Sequence, residues 1–227
     1  MEFALRQWRF WWKSRRMKCP AAFALASVFL AAAAFAADET EEGFVSLTDG
    51  KSFAGWKPSA ENPDTWKIED GAFVSRGPRN HLFYVGDGAP FKNFELMVDV
   101  MTDPGSNGGI YFHTAWQAEG WPVEGFETQV NNTQSDWRKT GSLYALASVG
   151  FSLAEDNKWW TQHIIVNGNK VMVKIDGKIC VEYIEPPGVQ PGADFKRKLG
   201  QGTFALQAHD PKSVVRYKNI RVKRLPD

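Results

Sequence analysis

The chain has 227 residues, with 27 Lys/Arg against 26 Asp/Glu, 14% aromatic residues and two cysteines. Near-neutral charge excludes the basic surface that recruits nucleic acid, and two cysteines are too few for a disulfide-built scaffold. A chain of this length can bury a sufficient core without such staples.

Six basic residues, Arg6, Arg9, Lys13, Arg15, Arg16 and Lys18, precede an Ala-rich apolar run from Ala21 to Phe35, which ends in Ala34-Phe35-Ala36. That order of basic region, short apolar region and small-x-small site predicts a signal peptide over residues 1–36, with Met17 as an alternative start. The run is shorter than a membrane-spanning helix, and no later segment is long and apolar enough to span. Residues 1–36 therefore predict an exported protein, periplasmic or secreted. Cleavage after Ala36 removes six of the 27 basic residues and one of the 26 acidic ones, leaving a mildly acidic chain with Cys180 as its one cysteine and no intramolecular disulfide. Residues 37–43 read as a short acidic linker, and 44–227 as one domain.

From Phe44 onward the punctuation is that of an all-β protein. Asp-Gly pairs at 49, 70, 87 and 176 and Asn-Gly at 167 separate short runs rich in Val, Ile, Phe and Tyr, the pattern of strands joined by tight turns. "FELMVDV" (94–100) alternates Phe94, Leu96, Val98 and Val100 with Glu95, Met97 and Asp99, a half-buried strand. In "GGIYFH" (108–113), Ile110 and Phe112 alternate with Tyr111 and His113. "TAWQAEGWPVEGF" then sets Trp116 and Trp121 in a loop, where an indole offers an apolar platform and one donor suited to a pyranose face.

"GFETQV" (125–130) puts Phe126, Thr128 and Val130 on one side and Glu127 and Gln129 on the other. "HIIVNGNKVMVKIDGKICVEYI" reads as two successive hairpins, with Asn167-Gly168 suited to a type I′ turn and His163 at the surface. The Pro/Gly-rich "EPPGVQPGADFKRKLG" reads as a long loop whose basic "KRK" is a solvated face. "TFALQAH" (203–209) alternates Phe204, Leu206 and Ala208 with Gln207 and His209. Many strands with no helices between them predict a two-sheet antiparallel β-sandwich, a concanavalin-like jelly roll.

If the strands of Tyr111, Glu127 and Gln207 are neighbours, their polar sides converge on Tyr111, His113, Glu127, Gln129, Gln207 and His209. Antiparallel sheets commonly have one solvated face, so each residue alone carries little weight. Two imidazoles, a carboxylate, two amides and a phenol on one face make an acid-base or binding surface. An ordinary glycosidase needs a second carboxylate across the scissile bond, and Glu127 has Gln129 beside it instead. Nucleophile-elbow, phosphate-loop, dinucleotide and zinc-protease motifs are absent. No cofactor motif occurs, although His113, His209 and Glu127 are of ligand type for a divalent metal.

The blocks "FVSLTDGKSFAGW", "WKIEDGAF", "FELMVDV", "GGIYFH", "GFETQV", "TGSLY", "GTFALQAHD" and "VRYKNIRVKRL" occur in the order of the 3-keto-disaccharide hydrolase family, exported bacterial proteins with a concanavalin-like lectin/glucanase sandwich, which the chain resembles from about Phe44 to Leu225. The resemblance implies a carbohydrate substrate whose sugar is oxidised to a ketone at C3. It also implies cleavage by proton abstraction, elimination and hydration, which needs one base, one acid and a group to stabilise an enolate. Glu127, Gln129 and His209 fall on matching blocks; His113 stands where members more often carry Arg, and Ala208 where Asp is common. The site expected from the polar face, the loop indoles and this resemblance together has Glu127, His209 and His113 in catalysis and Gln129, Gln207, Tyr111, Trp116 and Trp121 on substrate. The same face on a non-catalytic carbohydrate-binding module is the alternative, and an interaction domain of a surface assembly is a third reading.

Overall fold

The computed structural model describes residues 42–227; the predicted signal peptide and most of the predicted linker lie outside them. The described chain is built of strands, with one 3₁₀ turn at Pro63–Thr65 and no α-helix. In chain order the strands are β1 (Val45–Ser46), β2 (Trp56–Pro58), β3 (Trp66–Glu69), β4 (Ala72–Arg76), β5 (Asn80–Tyr84), β6 (Phe94–Thr102), β7 (Gly108–Thr114), β8 (Phe126–Val130), β9 (Trp160–Asn167), β10 (Lys170–Ile175), β11 (Lys178–Ile184), β12 (Thr203–Ala208) and β13 (Val214–Arg224). They form an eight-stranded sheet, β11-β10-β9-β6-β13-β4-β3 with β1 added beside β13, and a five-stranded sheet, β2-β5-β12-β7-β8. All pairings are antiparallel. The predicted two-sheet β-sandwich is the observed fold.

Period-two alternation places the core. Phe94, Leu96, Val98 and Val100 of β6 and Ile164 and Val166 of β9 bury against Ile110 and Phe112 of β7, Phe126 and Val130 of β8 and Phe204 and Leu206 of β12. Phe94 bridges the sheets edge-on, its ring 5.0 Å from Phe204 and 5.9 Å from Phe112, and Phe112 stacks on Phe126 at 5.2 Å. Each such side chain contributes about 1.5–3 kcal/mol by leaving water. Polar struts also cross this layer, among them Gln162 Nε2, which donates to Thr128 Oγ1 at 2.8 Å, with that hydroxyl donating to the Ile110 carbonyl at 3.0 Å.

The two predicted hairpins are β9–β10 and β10–β11. Asp176 and Gly177 both have positive φ, 47° and 75°, as a type I′ turn demands. The first turn differs from expectation. Asn167 pairs with Lys170 in the ladder, so Gly168 and Asn169 are the central residues, and of the two only Gly168 has positive φ.

In the five-stranded sheet β5, β7, β8 and β12 are buried on both faces, whereas β6, β9 and β10 alternate buried with partly exposed residues. Three connections cover the outer face of the smaller sheet. Residues 115–125 run from β7 to β8, residues 131–159 from β8 to β9, and residues 185–202 from β11 to β12. The second of these pairs with β8 itself: the Gln129 amide donates to Ser142 O at 2.9 Å, Gly141 to Gln129 O at 3.1 Å and Tyr144 to Glu127 O at 2.9 Å. A polar clip then holds it. Asn132 Nδ2 donates to Thr102 Oγ1 at 3.0 Å, Thr102 Oγ1 to Asp156 Oδ1 at 2.6 Å, and Thr140 Oγ1 to Asn132 Oδ1 at 2.6 Å.

Candidate active site

Register brings the central polar groups together. Tyr111 of β7 stands directly opposite Glu127 of β8, and Ala205 of β12 opposite Tyr111, which leaves Gln207 two residues along on the same face. Tyr111 Oη donates to Glu127 Oε2 at 2.9 Å, and Gln207 Nε2 donates to Glu127 Oε1 at 2.8 Å while lying 3.0 Å from Tyr111 Oη. Gly109 makes room for this: a Cβ there would lie 2.5 Å from Glu127 Oε1. The carboxylate thus lies flat over the backbone of the neighbouring strand.

These residues floor a cavity of about 230 Å³, walled by Trp121, Tyr144, Phe195 and Arg197 and also lined by Asn107, Gln129, Asp136 and His209. Gln129 Nε2 donates to Asn107 Oδ1 at 2.7 Å. The Oε1 atoms of Gln129 and Gln207 are buried with no partner among the described residues. A buried acceptor left unpaired costs about 1–3 kcal/mol, a cost that a donor entering the cavity would relieve.

Burial pushes the Glu127 carboxyl above its ordinary range, against the lowering pull of the Tyr111 hydroxyl, the Arg197 charge, Gln207 and the His209 charge. Burial, followed by the neighbouring Glu127 charge, pushes the Tyr111 phenol well up, so it stays a donor. His209 sits just past the end of β12. Its Nδ1 lies 2.8 Å from Asp210 Oδ2, and Asp210 also accepts from Ser213 Oγ and the Lys212 amide, each at 2.8 Å. Burial raises the Asp210 carboxyl, but these hydrogen bonds outweigh it and hold the group below its ordinary range. Asp210 accepts from Nδ1, which leaves Nε2 as the ring nitrogen not engaged by Asp210.

Of the expected residues, Tyr111, Trp121, Glu127, Gln129, Gln207 and His209 share the cavity. His113 does not. It has the left-handed φ of 54°, and β7 carries an extra residue there: three steps from Tyr111 to Thr114 face two from Ala205 to Thr203. This bulge turns the imidazole off the polar face and against Phe94 and Phe112, at 5.7 and 5.4 Å. Its Nε2 lies 2.8 Å from the Lys92 carbonyl, and its Nδ1 accepts from the Gly200 amide at 3.3 Å. Gly125, at φ 81°, permits the kink, because a Cβ there would lie 2.2 Å from Phe112 O. Trp116 is also elsewhere: its Nε1 donates to Pro58 O at 3.1 Å and Lys57 Nζ lies 3.9 Å above its ring. With His113 turned away, the metal-ligand set of His113, His209 and Glu127 is not assembled, and the described residues hold no group of three His, Cys, Asp or Glu placed for a metal.

Asn107, Asp136, Tyr144, Phe195 and Arg197 line the cavity but lie outside the site expected from sequence, and His81 packs behind Tyr111 and Trp121. Arg197, read as part of a solvated "KRK", faces inward: Nη1 donates to Gly125 O at 2.7 Å and the guanidinium stacks on Phe195 at 4.8 Å. The signal was the alternation of Phe195, Arg197 and Leu199 against Lys196 and Lys198. His81, on β5 and opposite Gln207, packs edge-on to Tyr111 and to Trp121, both at 5.5 Å. It is fully buried, and neither ring nitrogen has a partner among the described residues. Burial, then the Arg79 and His209 charges, pushes it down to about 3, so it packs as a neutral aromatic ring.

Residues 43–223 match the model of the 3-keto-alpha-glucoside-1,2-lyase-like domain. A curated relative, the 3-keto-disaccharide hydrolase of Bacteroides thetaiotaomicron, is 34% identical over 79 residues, 31% of this chain and 27% of that protein. The matched stretch is thus well under half of the relative's length. Among solved structures, a Parabacteroides distasonis protein named for the glycosyl hydrolases superposes with a TM-score of 0.68 at 22% identity, over 82% of this chain and 95% of that one. The carbohydrate-binding module CBM66 of Bacillus subtilis superposes with a TM-score of 0.54 at 13% identity, over 74% of this chain and 95% of the module. At these identities the two structures speak to the fold alone.

Proposed function

The chain belongs to the 3-keto-alpha-glucoside-1,2-lyase-like family, and on that premise we propose that it cleaves 3-keto-glycosides by elimination followed by hydration. The observation that carries this is the buried Glu127 carboxyl, held by Tyr111 and Gln207 in the same cavity as the His209–Asp210 pair. A ketone at C3 acidifies the hydrogen on C2. His209 Nε2 takes that proton, the electron pair passes to the C3 oxygen as an enolate, and its return forms the C1–C2 double bond and expels the C1 oxygen. Glu127, whose burial favours the protonated form, gives its proton to the leaving oxygen. Water then adds across the double bond: Glu127 takes the water proton as hydroxide bonds to C1, and His209 returns its proton to C2. One carboxyl and one imidazole suffice for both halves.

The cavity is smaller than the roughly 300–1,000 Å³ of sites for drug-sized ligands, in keeping with one oxidised sugar ring inside and the aglycone at the mouth. The unpartnered Gln129 and Gln207 oxygens would accept from ring hydroxyls, and Trp121 would wall one face. The same features favour a second reading, a sugar-binding module without turnover. Incubation with a 3-keto-disaccharide and measurement of the released sugar separates the two. Turnover lost in Glu127→Gln and in His209→Ala supports the assignment; turnover surviving in both would overturn it; sugar binding with no turnover by the wild type would leave the module. The export predicted from residues 1–36 belongs to the same reading. N-terminal sequencing of protein recovered outside the cytoplasm should begin near Ala37.

A further inference from the structure

Arg197 is the most unusual charge in the cavity: its field reaches the buried Glu127 carboxyl, yet no described carboxylate pairs with it. Asp136, on the same cavity wall, is taken by Arg138 at 3.5 Å, and Glu127 is held by Tyr111 and Gln207. Among the described residues Arg197 makes no ion pair, and of its donors only Nη1 is satisfied, by the Gly125 carbonyl. Its Nε is buried with no partner. An arginine that only anchored a loop would be expected to use its remaining donors on protein acceptors, since an unsatisfied buried donor is costly. Here the planar fork is kept in place by the Gly125 bond and the Phe195 ring.

The elimination proposed above places one full negative charge where the ground state has none, on the C3 oxygen. We infer that Arg197 is a further catalytic residue, donating to that oxygen as the C2 proton leaves and the electron pair moves onto it. This rests on the elimination reading. The donors are fixed before the reaction, so no reorganisation accompanies the charge, the condition under which such groups act most strongly. No co-reactant is needed: the proton passes to His209, the electron pair to oxygen, and the guanidinium keeps its protons throughout.

The test is exchange of the C2 hydrogen for solvent deuterium in a 3-keto-glycoside, followed by NMR together with aglycone release, for wild type, Arg197→Gln and Arg197→Lys. Removing one preorganised donor to an oxyanion typically costs 10²–10³-fold in kcat. Arg197→Gln should therefore lose about that factor in both exchange and cleavage, Arg197→Lys should lose less, and added guanidinium should restore part of the Arg197→Gln rate. Affinity for the parent glycoside, which has no ketone, should change by less than about tenfold. Wild-type exchange rates in Arg197→Gln, or a loss confined to KM, would overturn the inference and leave the elimination reading intact. A wild-type protein that neither exchanges nor cleaves would overturn the elimination reading itself. If thermal melting shows Arg197→Gln unfolded, Arg197→Lys decides: exchange and kcat equal to wild type, with or without a raised KM, overturn the inference, and a kcat loss relieved by guanidinium sustains it.

Discussion

The two sheets are made of the same alternating strands, yet their outer faces have opposite fates. On the eight-stranded sheet the outward residues form pairs in contact with water: His163 with Glu95 at 2.9 Å, Arg216 with Asp103 at 2.6 Å, Thr161 with Asp99 at 2.9 Å. Pairs of this kind contribute about 0–1 kcal/mol. On the five-stranded sheet the outward residues Tyr111, Glu127 and Gln207 are buried beneath loops, where the same polar chemistry is desolvated and strengthened. A carboxylate next to water is a solubilising group. Beneath the loops it is held by Tyr111 and Gln207 instead.

The sharpest break of that contrast compares Glu127→Gln with Glu95→Gln. Glu127→Gln should reduce kcat on a 3-keto-disaccharide by about 10²–10⁴-fold, while Glu95→Gln leaves it unchanged. Burial lifts the Glu127 carboxyl, so stability present at low pH is lost as pH rises through the folded-state value. Glu127→Gln should therefore melt at or above the wild-type temperature at neutral pH, by calorimetry.

His81 gives the next largest effect, in stability. It stays neutral in the fold down to about 3, whereas an unfolded histidine takes up its proton near 6.5. The unfolded state then binds more protons, so stability falls as pH drops from about 6.5 toward 3, by roughly 3 kcal/mol at pH 4. His81→Phe should remove most of that dependence, measured as the denaturant midpoint at pH 4 and pH 8.

Gly109→Ala probes placement of the carboxylate without removing it. Its Cβ would meet Glu127 Oε1 at 2.5 Å, and misplacement of a reacting group by about 1 Å costs on the order of 10²-fold. Activity should fall by about that factor with Glu127 still present; an unaltered kcat would show that the carboxylate need not lie flat on β7. The smallest effects separate the two indoles. Trp121→Ala should weaken sugar binding by about tenfold, and Trp116→Ala, outside the cavity, should change it by less than twofold, as titration with a non-ketone glycoside would read.

What the sequence displays is local. The alternation in "FELMVDV", "GFETQV" and "TFALQAH" indicated which residues face the core and, once β12, β7 and β8 are neighbours, which polar residues meet. His113 was misplaced because a one-residue bulge inverts the face, and the glycine that allows it, Gly125, belongs to the next strand segment and touches β7 only after folding. Arg197 was misread because its loop lies some seventy residues from Glu127, and a charged loop looks solvated until something is folded beneath it. His81 carries no mark of its fate: in "RNHLFY" it is one more alternating residue, packed only once Tyr111 beside it and the Trp121 loop are in place.

The segment Thr140–Tyr144, which pairs with β8, has a consequence for the molecule in company. Without it β8 would be a free sheet edge with unpaired amides and carbonyls, the usual template for chains to add onto one another. The segment that carries Tyr144 to the cavity mouth also closes that edge. Loop changes that widened the mouth by loosening residues 140–144 would therefore be paid for in self-association, a limit on how freely this wall can vary while the protein stays monodisperse.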